Sequence, residues 1–88
     1  MVRREIRVGD KQGLHLRPAG ALVGEANAFS SHVMLIHGEH RMNCKSLMSL
    51  LAFPVCPGDD ITVECDGEDE AKALESICAF FRDLDQWS

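Results

Sequence analysis

With 88 residues, 45% hydrophobic and 26% charged, the chain can close one core but not two, which disfavours disorder, fibrous architectures and a self-contained enzyme with an enclosed cleft. A net charge of −5, with lysines and arginines scattered along the chain, excludes a phosphate backbone as the expected partner. The most apolar run, Leu47 to Cys56, is broken by Ser49 and Pro54 and falls short of the roughly 20 residues a bilayer demands; no apolar stretch follows Arg3 and Arg4 as in a signal peptide. The expectation is a cytoplasmic monomer without membrane insertion, residues 1–88 forming a single domain.

Val2, Ile6 and Val8 alternate with charged residues in the opening segment, the period-two pattern of a half-buried strand that Gly9 and Asp10 end. From Leu16 to Ala28 the spacing becomes helical, with Ala19, Leu22, Val23 and Ala26 on one stripe. Pro18 fits the first turn of this helix, where a missing N–H is harmless, and so places His15 at or beside the N-cap. His32–His37 and His40–Asn43 flank Gly38-Glu39, a glycine-first pair suited to a tight hairpin.

Ser46 can cap a short apolar helix from Leu47 to about Ala52, which has to stop near Phe53 because Pro54 disfavours helical geometry before it. After a Pro57-Gly58-Asp59 turn, Asp60–Cys65 alternates as a fourth strand that Asp66-Gly67 closes. An acidic helix start at Glu68-Asp69-Glu70 follows. The last helix presents Ala71, Leu74, Cys78 and Phe81 on one face, widened by Ile77 and Leu84. The order βαββαβα predicts an α+β open-faced sandwich: a four-stranded antiparallel sheet with three helices on one face.

Gly13-Leu14-His15-Leu16-Arg17-Pro18-Ala19 carries the chemistry. Amides at a helix start lack intrahelical acceptors and hold partial positive charge, which suits a phosphoryl group and disfavours imidazolium. A neutral imidazole at His15 is the nucleophilic form. Arg17 adds a permanent, fork-shaped cation able to hold phosphate oxygens, and the set of nucleophile, Leu16 and Arg17 amides and guanidinium suffices for phosphoryl transfer without metal or cofactor. Spacing alone leaves a second reading open, in which His15 is an ordinary capping histidine and Arg17 a solvated charge.

The segment resembles the active-site signature of the HPr family, the histidine-containing phosphocarriers of the phosphoenolpyruvate-dependent sugar phosphotransferase system. Asn43-x-Lys45-Ser46 with Leu47-Met48 is similar to that family's second motif, at matching spacing. The resemblance implies that His15 accepts phosphate on Nδ1 from enzyme I and passes it to IIA components of sugar permeases, with Arg17 in support. It further implies that Leu16, Arg17, Gly20, Leu47, Met48 and Leu51 form the partner interface. In some members Ser46 is phosphorylated by an ATP-dependent kinase, which slows acceptance at the histidine. Leu16 and Gly20 stand where other residues are commoner in the family, and Pro54 replaces a helix-ending glycine, so the second helix needs another way to end.

Two alternatives stay open: a regulatory or nitrogen-branch relative acting on signalling partners, and a metal-binding interaction module. Cys44, Cys56, Cys65 and Cys78 form no Cys-x-x-Cys pair and read as reduced thiols, mostly structural. His32, His37 and His40 read as solvated strand-end residues rather than ligands.

Overall fold

The computed structural model describes residues 1–9, 13–52 and 55–84. Seven elements follow in the expected order: β1 (Val2–Arg7), α1 (Leu16–Asn27), β2 (His32–His37), β3 (His40–Asn43), α2 (Leu47–Ala52), β4 (Asp60–Asp66) and α3 (Glu70–Arg82). The four strands form one antiparallel sheet in the order β1-β4-β2-β3.

Period-two side-chain alternation separates the two faces of this sheet. Val33 and Leu35 of β2, Met42 of β3, and Ile61, Val63 and Cys65 of β4 point to the helical side and are buried. Ala19, Leu22 and Ala26 of α1 meet them there with Leu50 of α2 and with Ala73, Leu74, Ile77, Cys78 and Phe81 of α3. Val23 is half-buried at the edge of the stripe. Ala71, expected on the buried face of α3, is exposed, and Ala73 takes its place. The buried arc of α3 is centred on the Ala73–Ile77–Phe81 row, and residue 71 lies about a third of a turn away from Ile77 at 3.6 residues per turn.

The opposite face carries one buried charge among the described residues. Glu64, on the central strand β4, accepts hydrogen bonds from Arg3 Nη2 at 2.8 Å and Arg41 Nη2 at 2.9 Å, so two guanidinium groups cover a carboxylate that is only 5% exposed. Cys44, Cys65 and Cys78 are buried and Cys56 is exposed, all as free thiols. Burial pushes the Cys65 thiol up to about 11 and raises that of Cys44 as well, which keeps both protonated and apolar. Among the described residues no three His, Cys, Asp or Glu side chains come together as a metal-binding group.

The glycine-first hairpin forms as expected, with φ of 63° at Gly38 and His37 paired with His40. His37 departs from the solvated reading: it is half-buried, and its Nε2 lies 3.0 Å from Asp59 Oδ2 because the end of β2 runs antiparallel beside the start of β4. The expected stop of the second helix near Phe53 and Pro54 falls outside the described residues.

Asp69, the N-cap of α3, joins that helix to the start of β2. Its carboxylate accepts the amides of Ser30 and Ser31 at 3.0 Å each and the Ser31 hydroxyl. Gly67 makes this approach possible, since a β-carbon there would lie 2.6 Å from Ser31 Oγ. The hydrogen bond from the Ser31 hydroxyl, followed by the backbone bonds, holds the Asp69 carboxyl down at about 2. Its unfolded counterpart titrates near 3.9. The ionised form therefore stabilises the fold fully above about pH 4, and this contribution is lost as pH falls toward 2. In urea denaturation Asp69→Asn should be less stable than the parent at pH 7, and the gap should narrow between about pH 4 and 2. A gap that stays constant with pH would remove the assignment.

Candidate functional site

The segment before α1 is fixed by backbone contact. The Leu14 amide donates to the Val55 carbonyl at 2.9 Å, and the Leu14 side chain is buried. A β-carbon on Gly13 would stand 2.2 Å from that same carbonyl oxygen and 3.0 Å from the Cys56 α-carbon, so only glycine lets the two strands of chain approach this closely. With Leu14 turned inward, the alternation of extended backbone turns His15 outward, where it is exposed.

His15 is the N-cap of α1, with extended backbone (φ −98°, ψ −172°) and no side-chain capping bond. Its carbonyl accepts the Ala19 amide at 2.8 Å, the first turn of the helix. Its imidazole thus does not take the capping role of the second reading. Pro18 is buried and supplies no N–H, so the donors of the first turn ahead of Ala19 belong to Leu16 and Arg17. Arg17, in the first turn of α1, is exposed.

A shallow groove of about 370 Å³ runs beside the imidazole, bordered by His15, Leu16, Leu51, Val55, Cys56 and Pro57. Arg17, Gly20, Leu47 and Met48 lie outside this lining. Around it the apolar exposure is unusual for so small a protein: Leu16 is 62%, Met48 81% and Leu51 40% exposed, whereas Leu47 is half-buried and Leu50 belongs to the core. Gly20 is also exposed, and a β-carbon there would meet nothing within 4 Å.

Ser46 begins α2 as expected, its Oγ accepting the Ser49 amide at 3.2 Å. The rest of this motif is architectural. Asn43 Oδ1 accepts the Lys45 amide at 2.9 Å, the Asn43 amide donates to Ser49 Oγ at 2.8 Å, and Lys45 Nζ donates to the Phe29 carbonyl at 2.7 Å. The lysine thereby ties the start of α2 to the chain leaving α1, and a cation suits the carbonyl-rich end of a helix. Sequence reading missed two residues of the site. Cys56, exposed in the groove, has no pattern that signals it; the closeness required of Gly13 depends on Val55, which is 42 positions away.

A protein-family model described as the PTS HPr component phosphorylation site matches residues 2–83. The HPr-like protein Crh of Bacillus subtilis is 40% identical over 83 residues, 94% of this chain and 98% of that protein. The phosphocarrier protein HPr of Mycoplasma capricolum is 41% identical over 70 residues, 80% of this chain and 79% of that one. The solved structure of a Mycoplasma histidine-containing phosphocarrier protein superposes with a TM-score of 0.89 at 36% identity, covering 96% of each chain.

The backbone contact at Gly13 is open to direct test. Gly13→Ala should cost about 1–3 kcal/mol in chemical denaturation, since the Val55–Pro57 backbone has to move to admit a methyl group. Gly20→Ala, facing open space on α1, should be neutral or stabilising by up to about 1 kcal/mol.

Proposed function

The chain belongs to the HPr family of phosphocarrier proteins, and from that premise we propose that it accepts a phosphoryl group on His15 from a phosphohistidine of enzyme I and delivers it to IIA components of sugar permeases. It is a carrier rather than an independent enzyme. Acting in the cytoplasm as one domain over residues 1–88, it returns to its starting state only when a second protein takes the group away.

The reading rests above all on an exposed imidazole at the N-cap of α1 that makes no capping bond. In the forward step the lone pair of neutral His15, at Nδ1, attacks phosphorus while the bond from phosphorus to the donor nitrogen breaks. The bonding pair stays on the donor nitrogen, so the donor, protonated on its other ring nitrogen, leaves as neutral imidazole, and His15, keeping its Nε2 proton, takes up that ring's positive charge with the phosphoryl group. Little covalent work falls to the protein, so positioning and charge dominate. The first-turn amides of Leu16 and Arg17 and the Arg17 guanidinium supply that charge. Leu16, Arg17, Gly20, Leu47, Met48 and Leu51 form the surface on which both partners dock, apolar contact surrounding the reacting centre.

Incubation with enzyme I and phosphoenolpyruvate should introduce one acid-labile, base-stable phosphate, detected by mass spectrometry and by phosphorus NMR. His15→Ala should abolish it, and unchanged labelling in that variant would overturn the proposal. Arg17→Ala should keep the fold and slow transfer by about tenfold or more, the weight of a lost charged hydrogen bond.

Ser46 is the regulatory position in this reading. A phosphate there keeps an acceptor oxygen at the helix start and adds a charge of about −1.5 to −2 next to the exposed Met48 and half-buried Leu47. A serine kinase is the matching partner. Ser46→Asp should retain the stability of the parent while slowing phosphorylation of His15 by enzyme I; Ser46→Ala should lose about 1 kcal/mol and phosphorylate normally. Equal rates for the two variants would remove the regulatory role.

A second reading follows from the 40% identity to Crh, an HPr-like protein: a regulator acting on signalling partners. Binding of such a partner that survives His15→Ala and depends on Ser46 would select it.

A further inference from the structure

Four of the nine lysines and arginines of this acidic chain stand on β1 and at the end of α3, at one edge of the sheet. Arg3, Arg4 and Arg7 stand within the six residues of β1, and Arg82 ends α3 beside it. β1 is an outer strand, hydrogen-bonded to β4 on one side, so its other row of amides and carbonyls faces outward. Between β1 and α3 lies a groove of about 310 Å³ bordered by Arg4, Arg7, Glu75 and Arg82, with Ile6 and Phe81 giving it an apolar lining.

We propose that this edge receives an extended acidic segment of a partner protein, which adds to the sheet as a fifth strand against β1 and sets acidic side chains against Arg4 and Arg82 with an aliphatic one between them over Ile6 and Phe81. Strand addition satisfies the outward backbone groups, and the alternating side chains of the added strand read the groove.

Charge complementarity identifies the occupant. Among the described residues Arg4 donates from Nη2 to Glu75 Oε1 at 2.6 Å, and Arg7 from Nε to Asp60 Oδ1 at 3.2 Å. A guanidinium carries five N–H donors, so each retains donors for a second carboxylate. Arg82 makes no ion pair among the described residues; Glu75, whose carboxyl is lowered first by its hydrogen bond from Arg4, also feels the Arg82 charge. A second copy of this chain fits less well. Its two edge strands are β3, His40-Arg41-Met42-Asn43, which has no acidic residue, and β1 itself, whose three arginines against a single Glu5 would meet the same arginines across the seam.

The test uses the full chain labelled with nitrogen-15 and the blocked heptapeptide threonine-glutamate-threonine-valine-threonine-glutamate-threonine. At low salt, amide shifts should centre on β1 and on residues 78–82, with slowed hydrogen exchange at the outward amides of β1. Replacing both glutamates of the peptide by lysine, or N-methylating its alternate backbone nitrogens, should abolish the shifts. Arg82→Gln should weaken binding about three- to fivefold, the range of an exposed charge pair, and leave phosphorylation of His15 unchanged. Arg4→Gln should weaken it to a similar degree, and His15→Ala should bind the peptide normally. The proposal fails if the shifts centre on α1 and α2, if the N-methylated or lysine peptide binds as well as the parent, if Arg82→Gln and Arg4→Gln both bind unchanged, or if no shifts occur. It fails equally if the chain alone has twice its monomer mass with the β1 amides already protected, the edge then being filled by a second copy.

Discussion

The contact between Gly13 and the Val55 carbonyl is the constraint on which the reactive end of the molecule depends. A β-carbon at residue 13 has no room there, and the Leu14 amide donates to that same oxygen. The two facts lock the direction of the chain for the next three residues. Leu14 enters the core, His15 emerges at the helix start, and Leu16 continues onto an exposed surface. The position of the imidazole is therefore set by packing on the inner side of the loop rather than by any bond made by the imidazole at the helix cap.

The second helix is positioned by a separate set of polar contacts that converges on the same surface. Asn43, Lys45, Ser46 and Ser49 satisfy one another's amides within a few residues, and Lys45 reaches the Phe29 carbonyl beyond the end of α1. With Leu50 buried, α2 leaves Met48 and Leu51 facing solvent. A helix of six residues has too few faces to hide all its apolar side chains, so exposure here follows from length as much as from sequence.

Much of this was legible from local pattern. Alternation located the strands, the glycine-first pair located the hairpin, and Pro18 fixed the beginning of α1 so that His15 had to stand at its cap. What escaped was non-local. Ala71 and Ala73 differ only in which side of α3 meets the sheet, and two alanines give no signal to choose between them. His37 looked solvated because Asp59, its partner, lies 22 positions further on. The buried carboxylate of Glu64 was invisible for the same reason, since Arg3 and Arg41 come to it from strands on either side. Gly13 could be recognised in its motif, but the reason that no other residue fits is a carbonyl supplied from the far end of α2.

The pairing of the first strand with the last has a consequence during synthesis. Val2 lies opposite Cys65, so β1 waits for 63 further residues to be made before all of its partner strand exists. At bacterial-like elongation rates of roughly 5–20 residues per second, that delay is about 3–13 seconds. Throughout it the nascent chain offers an unpaired strand whose arginines oppose self-association, and closure of the sheet waits on the synthesis of β4.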